Sequence, residues 1–232
     1  MSLSYLLVVA HPDDEALGAG GIAGVLKESG NSFYSAIMSG SVEARKRRPS
    51  DQELLSDTAE SISLLGMEEF FLGDFPNITF NTVSHLKLVQ FVESIMLKTN
   101  PDVIITHHPA DTNNDHLHTS LAVQAAIRLF QRRNDVKPIR ELMFMEVLSA
   151  TDWSVNAAMN QFMPNVFIEI GEDGVNRKIE ALNKYRGVMR EYPHPRSPES
   201  VKSLAAYRGS QAGLFYAEAF QSVFRRISKE KK

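Results

Sequence analysis

The sequence predicts an α/β fold, a Rossmann-like three-layer sandwich built on a mostly parallel sheet. Three observations carry that prediction. Short runs rich in Leu, Val and Ile alternate with segments whose apolar residues recur at helical spacing. The runs are almost continuously apolar, as strands buried on both faces are. Polar, glycine-bearing loops follow the strands, where sheets of this kind collect their ligands. With 232 residues, 43% hydrophobic and 23% charged, the chain suits one well-buried core, so a single domain over 1–232 is expected.

The elements follow in order. Tyr5 to Ala10 is an apolar run that stops at a polar cluster, as a buried parallel strand does. From Ala16 to Glu28, Leu17, Ile22, Val25 and Leu26 recur at helical spacing, with Gly18, Gly20 and Gly21 permitting close backbone approach near the helix start. Phe33 to Met38 reads as a second strand, and the loop from Ser39 to Ser50 carries four basic side chains and Pro49. Ser50 and Glu53 form a capping-box pattern that opens a helix ending at Gly66. A short strand over Glu69 to Leu72 follows, then a helix over Ser84 to Lys98 closed by Asn100-Pro101. Asp102 to Thr106 is the second strong strand, and His116 to Phe130 is periodic as a helix. Leu142 to Leu148 and Val166 to Ile170 read as strands, and the C-terminal third is expected to be helical.

Composition excludes several function classes. A formal charge of −3 creates no basic field for nucleic acid or anionic lipid, so neither is an expected partner. The absence of cysteine rules out disulfides and thiolate metal sites, and it fits a reducing cytoplasm. The N-terminal apolar segment is too short for a membrane span or a signal core. Any metal must therefore be held by His, Asp or Glu.

The chemistry concentrates in two loops. In His11-Pro12-Asp13-Asp14-Glu15, at the end of the first strand, an imidazole and a carboxylate three residues apart supply two ligands. The spare carboxylate between them is a candidate base for an activated water. The second strong strand ends in His107-His108-Pro109-Ala110-Asp111-Thr112-Asn113-Asn114-Asp115-His116-Leu117-His118. Carboxyl ends of neighbouring parallel strands lie side by side, so this loop brings a third ligand, for which His116 is preferred. Two His and one carboxylate leave an open coordination position, the pattern of a hydrolytic site. Ligand type favours Zn2+, and the same set holds Fe2+, Co2+ or Mn2+ according to availability. The adjacent His107 and His108 face opposite ways on an extended strand, so at most one faces the site. The glycines after the motif suggest a dinucleotide turn, but an acidic stretch before the helix repels a pyrophosphate.

The segments AHPDDEALGAGG and DTNNDHLH together resemble the LmbE-like, PIG-L-type metal-dependent N-deacetylases, which remove acetyl groups from N-acetylglucosamine-containing and related amides. The resemblance makes His11, Asp14 and His116 the zinc ligands and Asp13 the general base. It places a substrate-contacting arginine at Arg45 and extends to Glu146-Val147, Tyr185, His194-Pro195-Arg196-Ser197, Arg208-Gly209 and Ala217 to Phe220. It also implies a small N-acetylated sugar or conjugate, free or nucleotide-linked, as partner, and a trimer or hexamer as assembly.

One position departs from the pattern. Many members carry a histidine two residues before the aspartate of the second motif, where this chain has Asn113. An amide can donate a neutral hydrogen bond to an oxyanion but cannot act as an acid. His118 or His194 is then the candidate acid, and His194 sits in a Pro-flanked loop with Arg196, the further substrate-binding candidate. Asp115 joins the catalytic set as the carboxylate that orients a neighbouring imidazole. Two other functions compete: a metal-dependent phosphoesterase, which would call for a second metal and bridging carboxylates, and a catalytically silent metal-binding or assembly protein, which would have no use for Asp13.

Overall fold

The computed structural model describes residues 2–41, 49–155 and 161–228. Seven strands, β1 (Ser4–Val9), β2 (Ser32–Ile37), β3 (Glu69–Leu72), β4 (Val103–His107), β5 (Glu141–Met145), β6 (Val166–Glu169) and β7 (Ala217–Arg225), form one sheet in the order β3-β2-β1-β4-β5-β7-β6. The first five in that order are parallel. β7 alone runs antiparallel to both its neighbours. The expected α/β architecture with a mostly parallel sheet is the observed one.

β1 shows why its sequence is apolar without interruption. Successive side chains point to opposite faces, so Leu7 and Val9 enter one core while Leu6, Val8 and Ala10 enter the other. The first core is covered by α1 (Asp14–Glu28), α2 (Asp51–Leu65), α5 (Gly171–Lys184) and α6 (Pro198–Ala212), the second by α3 (His85–Thr99) and α4 (Asn114–Ala126). The expected capping box opens α2, with Ser50 Oγ accepting from Glu53 N–H and the Glu53 carboxylate accepting from Ser50 N–H. No helix among the described residues is long and apolar enough to cross a membrane.

The C-terminal third departs from expectation. It holds two helices, and then the nine-residue β7 inserts between β5 and β6. The expected strand over Leu142 to Leu148 also ends early, at Met145. Val147 and Leu148 remain buried as loop residues, while Glu146 leaves the ladder to take a bidentate bond from Arg208 (2.7 and 2.6 Å). Apolar content reports burial there, not extended backbone.

The glycines of α1 answer to packing. A Cβ at Gly18 would lie 2.2 Å from Met145 Sδ, and one at Gly21 would lie 2.9 Å from the Glu218 carboxyl carbon. The helix is kinked at Ala19, and Glu218, arriving on β7, accepts from the N–H groups of Gly21 and Ile22, each at 2.9 Å. Its charge is matched by Lys178 Nζ at 2.6 Å, with both side chains only 7% exposed. Glu218→Ala is expected to destabilise the fold by about 3–5 kcal/mol, because it strands a buried ammonium and frees two buried N–H groups. Urea unfolding measures this, and a loss under ~1 kcal/mol would mean that Lys178 finds another partner or water.

Candidate metal centre and cleft

The site sits where the sheet order reverses. From β1 the chain builds outward through β2 and β3, then returns to β4 on the other side, leaving a crevice beyond the carboxyl ends of β1 and β4. His11, Asp13 and Asp14 occupy the β1–α1 junction, and Asp115 and His116 lie in the first turn of α4, whose N-cap is Asn113.

One carboxylate oxygen is the hub. Asp14 Oδ2 accepts from the His11 backbone N–H at 2.9 Å and lies 3.4 Å from His11 Nδ1 and 3.2 Å from His116 Nε2. One donor atom from each of His11, Asp14 and His116 lies within 4.8 Å of the others, and all three residues are buried. The far sides of both imidazoles are braced by carboxylates. His11 Nε2 is 2.9 Å from Asp115 Oδ2, and His116 Nδ1 is 3.0 Å from Asp111 Oδ2. Asp115 is itself fixed by the backbone N–H groups of Ile78 (2.6 Å) and Phe80 (2.9 Å). Such carboxylate–imidazole pairs set ring orientation and strengthen the ligand nitrogen.

The electrostatics suit a cation. Burial alone would depress His116, yet Asp14 and Asp111 outweigh it and raise its pKa to about 10. Burial likewise opposes ionisation of Asp14, but His116 and His11 hold it well below the usual carboxylate range. His116 Nε2, buried on the side of Asp14, has no partner in hydrogen-bond geometry among the described residues, which is costly for a polar atom unless another group takes it. A divalent ion fits that demand, and His11, Asp14 and His116 are the residues that would hold it.

His107, Asp111 and His116 form an overlapping set. Its two rings stack at 3.8 Å with 16° between their planes, so their in-plane lone pairs do not converge on one point. His107 Nε2 is also taken by the Ala10 N–H at 2.9 Å, and burial pushes its pKa down to about 3. His108 faces the other way, edge-on to Phe144 and Phe162.

Asp13 caps α1 in a left-handed conformation (φ 105°, ψ −26°) that non-glycine residues adopt rarely. Its Oδ2 accepts from Arg196 Nη1 at 3.1 Å, and Arg196 Nε donates to Ser149 Oγ at 2.7 Å. Asp13, Asp14, His116, Asn113, Ser149 and Arg196 are among the residues lining a cleft of about 320 Å³. Asn113 spends its carbonyl oxygen on the Asp115 N–H at 2.9 Å, which leaves its NH2 as the end available to the cleft.

The structure thus brings His11, Asp13, Asp14, His116, Asn113 and Arg196 to one cleft, with Asp115 behind His11. His194 stands back from it. Its Nδ1 accepts from the Arg196 N–H at 3.0 Å and its ring meets Trp153 edge-on at 5.8 Å. His118 is half-buried on α4, and Arg45 lies outside the described residues. Sequence reasoning missed Asp111, which was visible in the second loop, and Ser149, for which no local signal exists. It also missed Glu15, whose carboxyl burial pushes up to about 8 although the Tyr185 bond opposes the rise.

A doubly wound sheet with a buried His2Asp cradle and an adjacent carboxylate, open to a cleft at the strand crossover, defines a hydrolase of the metal-dependent class. A family model described as PIG-L, GlcNAc-PI de-N-acetylase, matches residues 6–127, and the chain belongs to this family of N-deacetylases. Diacetylchitobiose deacetylase of Thermococcus kodakarensis is 22% identical over 229 residues, covering 94% of this chain and 82% of that protein. Among solved structures, the conserved protein TT1542 from Thermus thermophilus superposes with a TM-score of 0.78 at 23% identity, covering 99% of each chain. GalB, the 4-carboxy-2-hydroxymuconate hydratase of Pseudomonas putida, gives 0.78 at 19% identity over 100% of both chains. Those two likenesses establish the shared fold.

Proposed function

We propose that this protein is a zinc-dependent hydrolase that removes the acetyl group from an N-acetylated sugar or sugar conjugate. The observation that carries the reading is Asp13: a buried carboxylate beside the His11–Asp14–His116 cradle, held by Arg196 and facing the cleft. A purely structural ion has no use for it. The deacetylase names of the family and of the Thermococcus relative support the substrate class.

Zinc held there would supply Lewis acidity toward the amide carbonyl and lower the pKa of water toward neutrality. Asp13 takes the proton of the attacking water, with Arg196 orienting its carboxylate toward the cleft. The Asn113 amide donates to the carbonyl oxygen as negative charge gathers on it. Asp13 then returns the proton to the leaving nitrogen, so that acetate and a free amine depart. This route gives one residue both proton transfers and requires no imidazole acid, consistent with His194 standing behind Arg196.

The test is acetate release from a panel of N-acetylated amino sugars, free, lipid-linked and nucleotide-linked, by metal-loaded protein. Turnover of at least one sugar is expected, and none across the panel would defeat the reading. The end-to-end match to a hydratase favours one second reading, addition of water to the double bond of a carboxylated substrate. Loss of ultraviolet absorbance by a conjugated carboxylate, without acetate release, would select it.

A further inference from the structure

We propose that Glu15 is a positioning residue for Asp13, holding the base from beneath through its backbone while Arg196 holds it from the front through its carboxylate. The inference rests on the reading of Asp13 as the base. Glu15 Oε2 accepts from the Asp13 backbone N–H at 3.0 Å, and Glu15 Oε1 accepts from Tyr185 O–H at 2.5 Å. Ser61 Oγ lies 3.5 Å from the same Oε1. Glu15 and Ser61 are fully buried and Tyr185 is 2% exposed. No cation pairs with Glu15 among the described residues, and it does not line the cleft.

A buried carboxyl that neither faces substrate nor pairs with a cation is costly unless its bonds accomplish something. Here they fix a strained backbone. The left-handed φ of 105° at Asp13 persists only where surrounding bonds over-determine it, and the Glu15–Asp13 N–H bond is one such constraint. That conformation lets consecutive carboxylates serve the same cleft: Asp14 turns to the two imidazoles, and Asp13 turns to Arg196. Tyr185, at the C-cap of α5, ties the arrangement to a helix that contributes nothing else to the cleft. Displacement of a reacting group by ~1 Å is enough to cost about 10²-fold in rate.

Glu15→Met keeps the length of the side chain but offers no acceptor to the Asp13 N–H, the Tyr185 O–H or Ser61 Oγ, so the bonds that hold Asp13 from beneath are lost. We expect kcat to fall about 10- to 100-fold, KM to stay within about twofold because uniform substrate binding is untouched, and bound metal to stay near one equivalent. The Asp13 amide resonance in 15N-labelled protein should move well outside the range of distant residues. Tyr185→Phe, which spares the Glu15–Asp13 bond, should show the same split with a smaller fall. A Glu15→Met enzyme with wild-type kcat and an unmoved Asp13 amide, alongside an inactive Asp13→Asn, overturns the positioning role. An active Asp13→Asn overturns the base assignment itself. If Glu15→Met does not fold, Tyr185→Phe decides, and an unchanged kcat with an unmoved Asp13 amide overturns the proposal.

Discussion

Asp13→Asn should lower acetate release by roughly 10²- to 10⁴-fold, the range of general-base catalysis, while leaving metal content and melting temperature near those of the wild type. Asparagine has almost the same volume, tolerates the left-handed backbone that Asp13 adopts, and still offers an oxygen to Arg196 Nη1. What it lacks is a site for the proton. Rates from initial velocities, with metal counted by elemental analysis, check the expectation, and a loss smaller than about tenfold would remove Asp13 from the chemistry. Loss of the metal along with the activity would instead assign Asp13 to the ligand set.

Metal removal carries the second large effect. Chelation should take activity to background, with recovery on adding about one equivalent of a divalent ion, and His116→Ala should abolish both binding and turnover. The pH dependence follows from His116, raised from 6.5 to about 10 by its two carboxylates against the opposing effect of burial. At neutral pH the ion-free ring carries a proton that an incoming cation must displace. Affinity should therefore climb about tenfold per pH unit through the neutral range, with about one proton released per ion bound. Titration calorimetry in buffers of differing ionisation enthalpy reads that proton directly. Stability has the matching sign. The protonated ring and its carboxylates stabilise the ion-free fold fully below pH 6.5, and that contribution is lost as pH rises through about 10. Ion-free protein should thus melt lower at about pH 10 than at about pH 7, and saturating metal should flatten the difference.

The parts of this site legible in the sequence were those set by adjacent residues. His11 and Asp14 stand three apart at a strand end, and His116 follows the other strong strand, so strand pattern plus the crossover rule joined them across about a hundred residues of chain. Asn113 illustrates a partial reading. Its amide was expected to face the oxyanion, but its second duty as the N-cap of α4, which starts the helix two residues before the expected His116, depends on backbone geometry that no spacing encodes. Ser149 and Arg196 meet Asp13 only through tertiary folding. β7 escaped because Glu218 and Gln221 break the apolar runs that marked the other strands, and nothing local shows that Lys178 and two helix N–H groups neutralise the Glu218 charge inside the core.

That same glutamate links the start of the site to a strand far along the chain. His11 and Asp14 precede Glu218 by about two hundred residues of chain, yet the helix that begins at Asp14 breaks at Ala19, and the first amides of its second half, those of Gly21 and Ile22, take their protein acceptor from Glu218 on β7. The helix that follows the two candidate ligands therefore receives one of its anchors from a strand distant in the chain. Ion capture by the proposed ligands would then be sensitive to whether β7 has found its place between β5 and β6.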